Sequence, residues 1–345
     1  MAAMPSRYEA LLLVSFGGPE GMDDVLPFLE NVVRGRNVPA ERLRAVAAHY
    51  EHFGGRSPIN DQCRALVGAL RDELGRCGPP LPVYWGNRNW HPFLADAVRQ
   101  MAADGVARAL ALVTSAFGSY SGCRQYLEDI ERARNAVGPD APEIHKLRAF
   151  HNHPGFVEPL VAATAGALER LPEDRRASAA LVFTAHSLPV AMAARSPYEA
   201  QLRETARLVA DGLGRERFDL VYQSRSGPRD QRWLEPDVVD HLRSLAAAGV
   251  RDVVLSPIGF LCDHMEVIYD LDLDAKGRAR ELGLHVERAA TVGAHPRFVR
   301  MIRELIEERL SDAPVRLFLG ALGPAPDVCA PDCCPAPAFP GRRSA

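Results

Sequence analysis

Lysine is nearly absent from this chain. Lys146 and Lys276 are the only two, the other basic residues are arginines, and 44 acidic residues against 41 basic ones leave a formal net charge of −3. There is no basic excess and no arginine patch interleaved with aromatics, so a nucleic acid is not an expected partner. Long apolar runs are also missing. No stretch approaches the ~20 residues needed to span a bilayer, Met1–Ser6 lacks a charged-then-apolar leader, and no long apolar lip suggests stable membrane association. The expectation is a soluble cytoplasmic protein. Seven cysteines, an odd number in a chain without an export signal, argue against a disulfide framework.

The length, 345 residues with 47% hydrophobic, suits two α/β domains of ordinary size. The segment Thr184-Ala185-His186-Ser187-Leu188-Pro189 follows the apolar run Ala179–Phe183, which reads as a buried parallel strand stopped by Pro189. His186 therefore sits where strands end and ligands bind in open α/β sheets. The segment alone is equally compatible with a histidine that caps a turn. Two further strands, Phe218–Gln223 and Val253–Phe260, run into polar residues and breakers, the latter into Cys262-Asp263-His264-Met265-Glu266.

The first half repeats this pattern. Leu11–Pro19 matches Leu181–Pro189 and sets Phe16 in the place of His186, while Leu81–Arg88 corresponds more loosely to the strand at Leu220. Pro92–Leu112 aligns without a gap on Pro236–Ser256, each copy reading as a proline-initiated helix, a glycine and an apolar strand. Continuing that register sets Tyr120 opposite His264 and Gly122 opposite Glu266. The repeat predicts two similar Rossmann-like halves, each a doubly wound, parallel four-stranded sheet, facing each other across a cleft. The halves are expected at residues 1–170 and 171–320, with the chemistry mainly in the second. Residues 321–345 form a Pro/Cys-rich tail without helical or strand period, in which Cys329, Cys333 and Cys334 crowd together. Closely spaced thiols suit zinc or an iron-sulfur cluster with a fourth ligand from the body; the plain alternative is a floppy tail with incidental cysteines.

Taken together, these motifs resemble those of the ferrochelatases, which insert ferrous iron into a porphyrin, and most closely the actinobacterial members acting on coproporphyrin III. The resemblance spans Tyr8–Leu310. It rests on Ser15–Glu20, Gly54–Asn60 after Tyr50, Gly86–Trp90, Thr184–Pro189, Gln223–Pro228, Trp233–Pro236, Pro257–Phe260 and Asp263–Val267, all in order. It implies that His186 and Glu266 are iron ligands and proton acceptors, that Ser57 and Tyr126 contact the porphyrin, and that a coproheme decarboxylase takes up the product. Arg56 is a charged contact for a propionate or a solvated arginine; Asn87, Arg88 and Trp90 are secondary candidates for the cleft wall.

The chemistry explains the residue types. Metal entry expels two N–H protons from the macrocycle, which must be held bent to expose a nitrogen lone pair, and a neutral imidazole is both a ferrous ligand and a base near pH 7. Phe16 cannot ligate iron, although some bacterial coproporphyrin enzymes have a tyrosine there. The resemblance also implies a [2Fe-2S] cluster on Cys329, Cys333 and Cys334. The internal ligand of the animal enzymes falls near Pro159, leaving Cys123, Cys63, Cys77 and Cys262 as candidates. Other readings are a protoporphyrin IX ferrochelatase, a cobalt or nickel chelatase for sirohydrochlorin, and a non-catalytic porphyrin carrier or iron-redox sensor.

Overall fold

The computed structural model describes residues 8–35, 38–227 and 231–336; Met1–Ser6, Pro228 and the end of the tail fall outside them. Strands β1 (Ala10–Ser15), β2 (Val83–Asn87), β3 (Arg108–Val113) and β4 (Glu143–Lys146) form one parallel sheet in the order β2-β1-β3-β4. Strands β5 (Ala180–His186), β6 (Asp219–Gln223), β7 (Asp252–Ser256) and β8 (His285–Arg288) form a second in the equivalent order β6-β5-β7-β8. Both faces of each sheet carry helices, so β1 and β7 are buried at every position and are apolar except at their ends, Ser15 in β1 and Asp252 and Ser256 in β7. The outer strands β4 and β8, Glu-Ile-His-Lys and His-Val-Glu-Arg, are mixed in character and only partly buried. The expected pair of parallel four-stranded sheets is therefore present.

The repeat extends to detail. Helices α1 (Met22–Val32), α2 (Ala40–Glu51), α3 (Ile59–Cys77) and α4 (Leu94–Ala103) belong to the first half, and the helix Val238–Ala247 is the counterpart of α4. Pro92 and Pro236 do not start these helices. Each follows a cis peptide bond and precedes the N-cap residue, Phe93 or Asp237, and its carbonyl accepts from Asn87 N–H (2.7 Å) or Tyr222 N–H (2.9 Å). After the third strand, each half has a π-helical turn, at Tyr120–Arg124 before α5 (Gln125–Val137) and at Ile268–Ala275. The N–H groups of Gly122 and Glu266, matched by the repeat, are both capped, by Ser119 Oγ at 2.9 Å and by His264 Nδ1 at 3.2 Å.

The two sheets share one core. Leu11, Leu110, Phe150, Phe183, Val254 and Phe298 belong to a continuous buried cluster crossing the 170/171 division. Helix α6 (Pro154–Glu169) packs against β7, β8 and the helices Tyr198–Gly212 and Pro296–Leu310. Among the described residues, no helix is long and apolar enough to cross a membrane.

Residues 311–336 contain no helix or strand, yet they are fastened to the body. Glu204 accepts from the N–H groups of Ala321 (2.7 Å) and Leu322 (2.8 Å), and Asn152 Nδ2 donates to Gly323 O at 2.8 Å. Further along, Arg124 Nη2 donates to Pro331 O (2.6 Å) and Cys333 O (3.0 Å).

Candidate active site

His186 is the last residue of β5, and Glu266 lies in the short helical turn Met265–Val267 beyond β7. Strands β5 and β7 are neighbours, and the chain leaves them toward opposite sides of the sheet, so their carboxyl ends flank the crevice where α/β sheets bind ligands. His186 Nδ1 donates to Ser187 O at 2.6 Å, which fixes the ring and turns Nε2 toward Glu266 Oε1, 3.3 Å away. Tyr198 Oη donates to His186 O at 2.9 Å. Gln223 Nε2 holds the Glu266 carbonyl, and Ser224, at φ 62°, donates to the Asp270 carboxylate.

Electrostatics make the two groups an ion pair. Burial opposes the imidazolium, but the Glu266 charge, its hydrogen bond and the Ser187 carbonyl raise His186 to about 9. Burial would push Glu266 up, yet His186 pulls it down to about 2. The Glu266 side chain is 45% exposed against 28% for His186, so the carboxylate is the member of the pair open to solvent. Asp270 is raised to about 7, by burial first and by the nearby Glu266 charge. Burial lowers His264, matching the neutral Nδ1 acceptor its capping bond requires.

In the first half, Phe16 stands at the end of β1 and is 36% exposed. Phe28 meets Phe16, Tyr50 and Trp90 edge-on, at centroid distances of 6.2, 6.3 and 6.4 Å, and packs with Met265 of the second half. Arg88 lies over the rings of Phe16 (5.7 Å) and Tyr126 (4.7 Å), with Nε 2.8 Å from the Asp129 carboxylate. Tyr126 is buried, and burial raises its phenol. Ser57 is buried against Gly18, where a Cβ would come within 2.7 Å of Ser57 Cβ. Arg56 is exposed and pairs with Asp61 at 2.6 Å. Asn87 spends its amide inside the first half, on Asn60 Oδ1 (3.1 Å) and His91 O (3.0 Å).

The structure thus joins His186 and Glu266 directly and keeps Ser57, Tyr126 and Arg56 in the first half. Sequence reasoning did not single out His264, Asp270, Tyr198 or the Gln223-Ser224 clamp as site residues. Gln223, Ser224 and His264 lie within motifs that carried the resemblance, and Asp270 left the acidic spacing Glu266, Asp270, Asp274 on one stretch; Tyr198 left no such signal. A separate groove of about 830 Å³ beside β2, lined by Val67, Arg71, Val83 and Trp85, lies away from these groups.

The tail thiols reach Cys123. Cys123 and Cys329 are hydrogen-bonded, and Cys333 Sγ lies 3.4 Å from Cys334 Sγ. Cys334 has φ 52°, a left-handed turn that sets adjacent sulfurs side by side. The Cys123 bond, against burial and with help from the Lys146 charge, lowers Cys329 to about 7. Cys63 instead donates to Ser15 Oγ at 3.3 Å. Among the described residues, no three His, Cys, Asp or Glu side chains stand arranged to hold a single metal ion.

Residues 8–310 match the family model for ferrochelatase. A coproporphyrin III ferrochelatase of Nocardia farcinica is 57% identical over 90% of this chain and 90% of its own. A second, from Frankia alni, is 56% identical over 95% of this chain and 87% of its own. A ferrochelatase of Rhodopirellula baltica is 53% identical over 97% of this chain and 95% of its own. Among solved structures, SirB from Bacillus subtilis with Fe3+ superposes with a TM-score of 0.55 at 10% identity, covering 88% of this chain and 96% of that one, a likeness of fold. The chain belongs to the ferrochelatase family.

Proposed function

We propose that this protein inserts ferrous iron into coproporphyrin III, giving iron coproporphyrin and two protons, with His186 and Glu266 as iron contacts and proton acceptors. The observation that carries the reading is the 3.3 Å contact between His186 Nε2 and Glu266 Oε1 at the carboxyl edge of the second sheet. Relatives named coproporphyrin III ferrochelatases, at 57% and 56% identity, favour coproporphyrin over protoporphyrin.

At rest the imidazolium shares its Nε2 proton with Glu266, while Nδ1–H stays on Ser187 O. An approaching dication disfavours the imidazolium, and the proton leaves through the half-exposed carboxylate. Nε2 is then free to bind iron or to take a pyrrole proton, and the second proton follows once Glu266 has discharged the first. Ser57, Tyr126 and Arg56 belong to the porphyrin side of this reading; for Arg56 that requires exchanging Asp61 for a propionate.

The reading includes a [2Fe-2S] cluster on Cys123, Cys329, Cys333 and Cys334. The four thiols with Lys146 and Arg124 beside them fit a soft, anionic group, which would supply a redox-active link between tail and body. Protein purified without oxygen is expected to contain iron and acid-labile sulfide and to absorb in the visible. A colourless product without acid-labile sulfide overturns the cluster. The setting is cytoplasmic, and a coproheme decarboxylase consumes the product.

The enzyme reading is tested by mixing protein, coproporphyrin III and ferrous iron anaerobically and following the metallated product. Loss of turnover in His186→Ala is expected. Equal rates in parent and variant overturn the mechanism, and a strong preference for protoporphyrin overturns the substrate. Porphyrin binding without turnover in the parent favours the carrier.

A further inference from the structure

The segment carrying His264, Glu266 and Asp270 is mostly π-helical, with hydrogen-bond geometry poorer than that of an α-helix. Such a segment fixes its own winding less firmly than an α-helix does, and the aim of Glu266 depends on that winding. What fixes one winding lies behind it. Arg288, the last residue of β8, sends Nη1 and Nη2 to the two carboxylate oxygens of Asp263, at 3.1 and 3.3 Å. Its Nε reaches both oxygens of Asp272 at 2.9 and 3.0 Å. One guanidinium therefore grips the chain just before His264 and again inside the π-helical turn, on either side of Glu266.

The grip is held on both sides. Thr291 Oγ1 donates to Asp263 at 3.1 Å, and Lys276 Nζ lies 3.1 Å from Asp272. All three members of the bridge are largely sheltered, at 14%, 20% and 30% side-chain exposure, so the contacts are less screened than surface pairs. The fork of arginine serves two carboxylates at once, which a lysine ammonium on a flexible stem does not reproduce.

We infer that Arg288 is a positioning residue for iron insertion, which through Asp263 and Asp272 sets the winding that aims Glu266 at His186. The inference rests on the proposed roles of His186 and Glu266. It predicts that loss of Arg288 misplaces the carboxylate without removing the porphyrin surface of the first half.

Arg288→Met, Arg288→Lys, Asp263→Asn and His186→Ala are compared with the parent for kcat, KM for ferrous iron, and coproporphyrin III affinity by fluorescence quenching. In Arg288→Met, kcat is expected to fall on the order of tenfold to a hundredfold, with porphyrin affinity within about twofold of the parent. Asp263→Asn in that background adds little further loss. Should Arg288→Met not fold, Arg288→Lys decides: kcat at least about fivefold below the parent, with parental porphyrin affinity, supports the inference. Parental kcat in Arg288→Lys overturns it, as does a proportional loss of kcat and porphyrin affinity. His186→Ala reports on the underlying reading separately, since parental turnover there overturns the roles of the pair whatever the Arg288 variants do.

Discussion

Lys146 and Arg288 occupy the same place in the two halves. Each ends an outer strand of its sheet, β4 or β8, paired with Ala111 or Leu255, and the next residue's N–H bonds that partner's carbonyl at 2.8 Å. In the second half the cation faces Asp263 and Asp272; in the first, Lys146 acts on the thiols of Cys123 and Cys329. One architectural position thus serves an acidic segment in one copy and a cluster of thiols in the other.

The thiol site gives a titration. Cys329 is held to about 7 chiefly by its bond from Cys123, with Lys146 assisting. Cys123→Ala removes the donor and is expected to raise the Cys329 pKa and slow its alkylation at pH 7 in cluster-free protein, read by mass spectrometry against pH. An unchanged alkylation profile disproves the contact.

Replacing Glu266 by Gln removes the carboxylate but keeps its shape. Turnover should fall by about 10²–10⁴-fold, the usual worth of a positioned acid or base, while coproporphyrin still quenches protein fluorescence with parental affinity. Loss confined to porphyrin affinity would place Glu266 outside the proton path.

Stability should respond to pH through the same pair. The folded-state value of His186, about 9, lies above its ordinary 6.5, so its contribution is complete below pH 6.5 and disappears as pH rises through 9. Glu266 is held at about 2 against 4.5, so its contribution is present above pH 4.5 and is lost as pH falls through 2. Urea midpoints of the parent should decline between pH 6.5 and 9 more than those of His186→Ala. Parallel declines would refute the ion pair.

Arg148 and Glu308 form a buried fork, with bonds of 2.7 and 2.8 Å and side chains 1% and 5% exposed. Glu308→Leu leaves the guanidinium without its counter-charge, and a loss of about 3–5 kcal/mol in urea unfolding is expected. A cost below about 1 kcal/mol, typical of exposed pairs, would mean that water reaches the fork.

Gly18 has no room for a methyl group, which would lie 2.7 Å from both Ser57 Cβ and Ile59 Cγ2. Gly18→Ala should cost about 1–3 kcal/mol by overpacking and raise the porphyrin KM by displacing Ser57. A parental KM beside that stability loss would remove Ser57 from the porphyrin surface.

The sheets and His186 were legible because buried parallel strands are largely apolar and end abruptly, as Ala180–His186 does before Pro189. The internal repeat carried Glu266 to the same sheet edge. Two features were not legible. A π-helical turn such as Tyr120–Arg124 has no side-chain period distinguishing it from an α-helix over so few residues. The tail is pinned largely through its own backbone, by Glu204, Asn152 and Arg124, and backbone contacts leave no trace in residue type. Nor does composition reveal that Cys123 is the internal thiol that meets it.

The core that passes uninterrupted between the sheets limits how this enzyme can move. With α6 seated on β7 and β8, and Phe150, Phe156 and Phe298 packed ring against ring, the halves cannot swing apart as rigid lobes without opening their own interior. α1, α2 and Met265 meet in a separate, smaller buried cluster outside that core, so a macrocycle can be accommodated beside it while the sheets stay fixed. The same continuity implies one cooperative unfolding transition rather than two, and a first half that, severed at Glu169, would expose its largest apolar face to water.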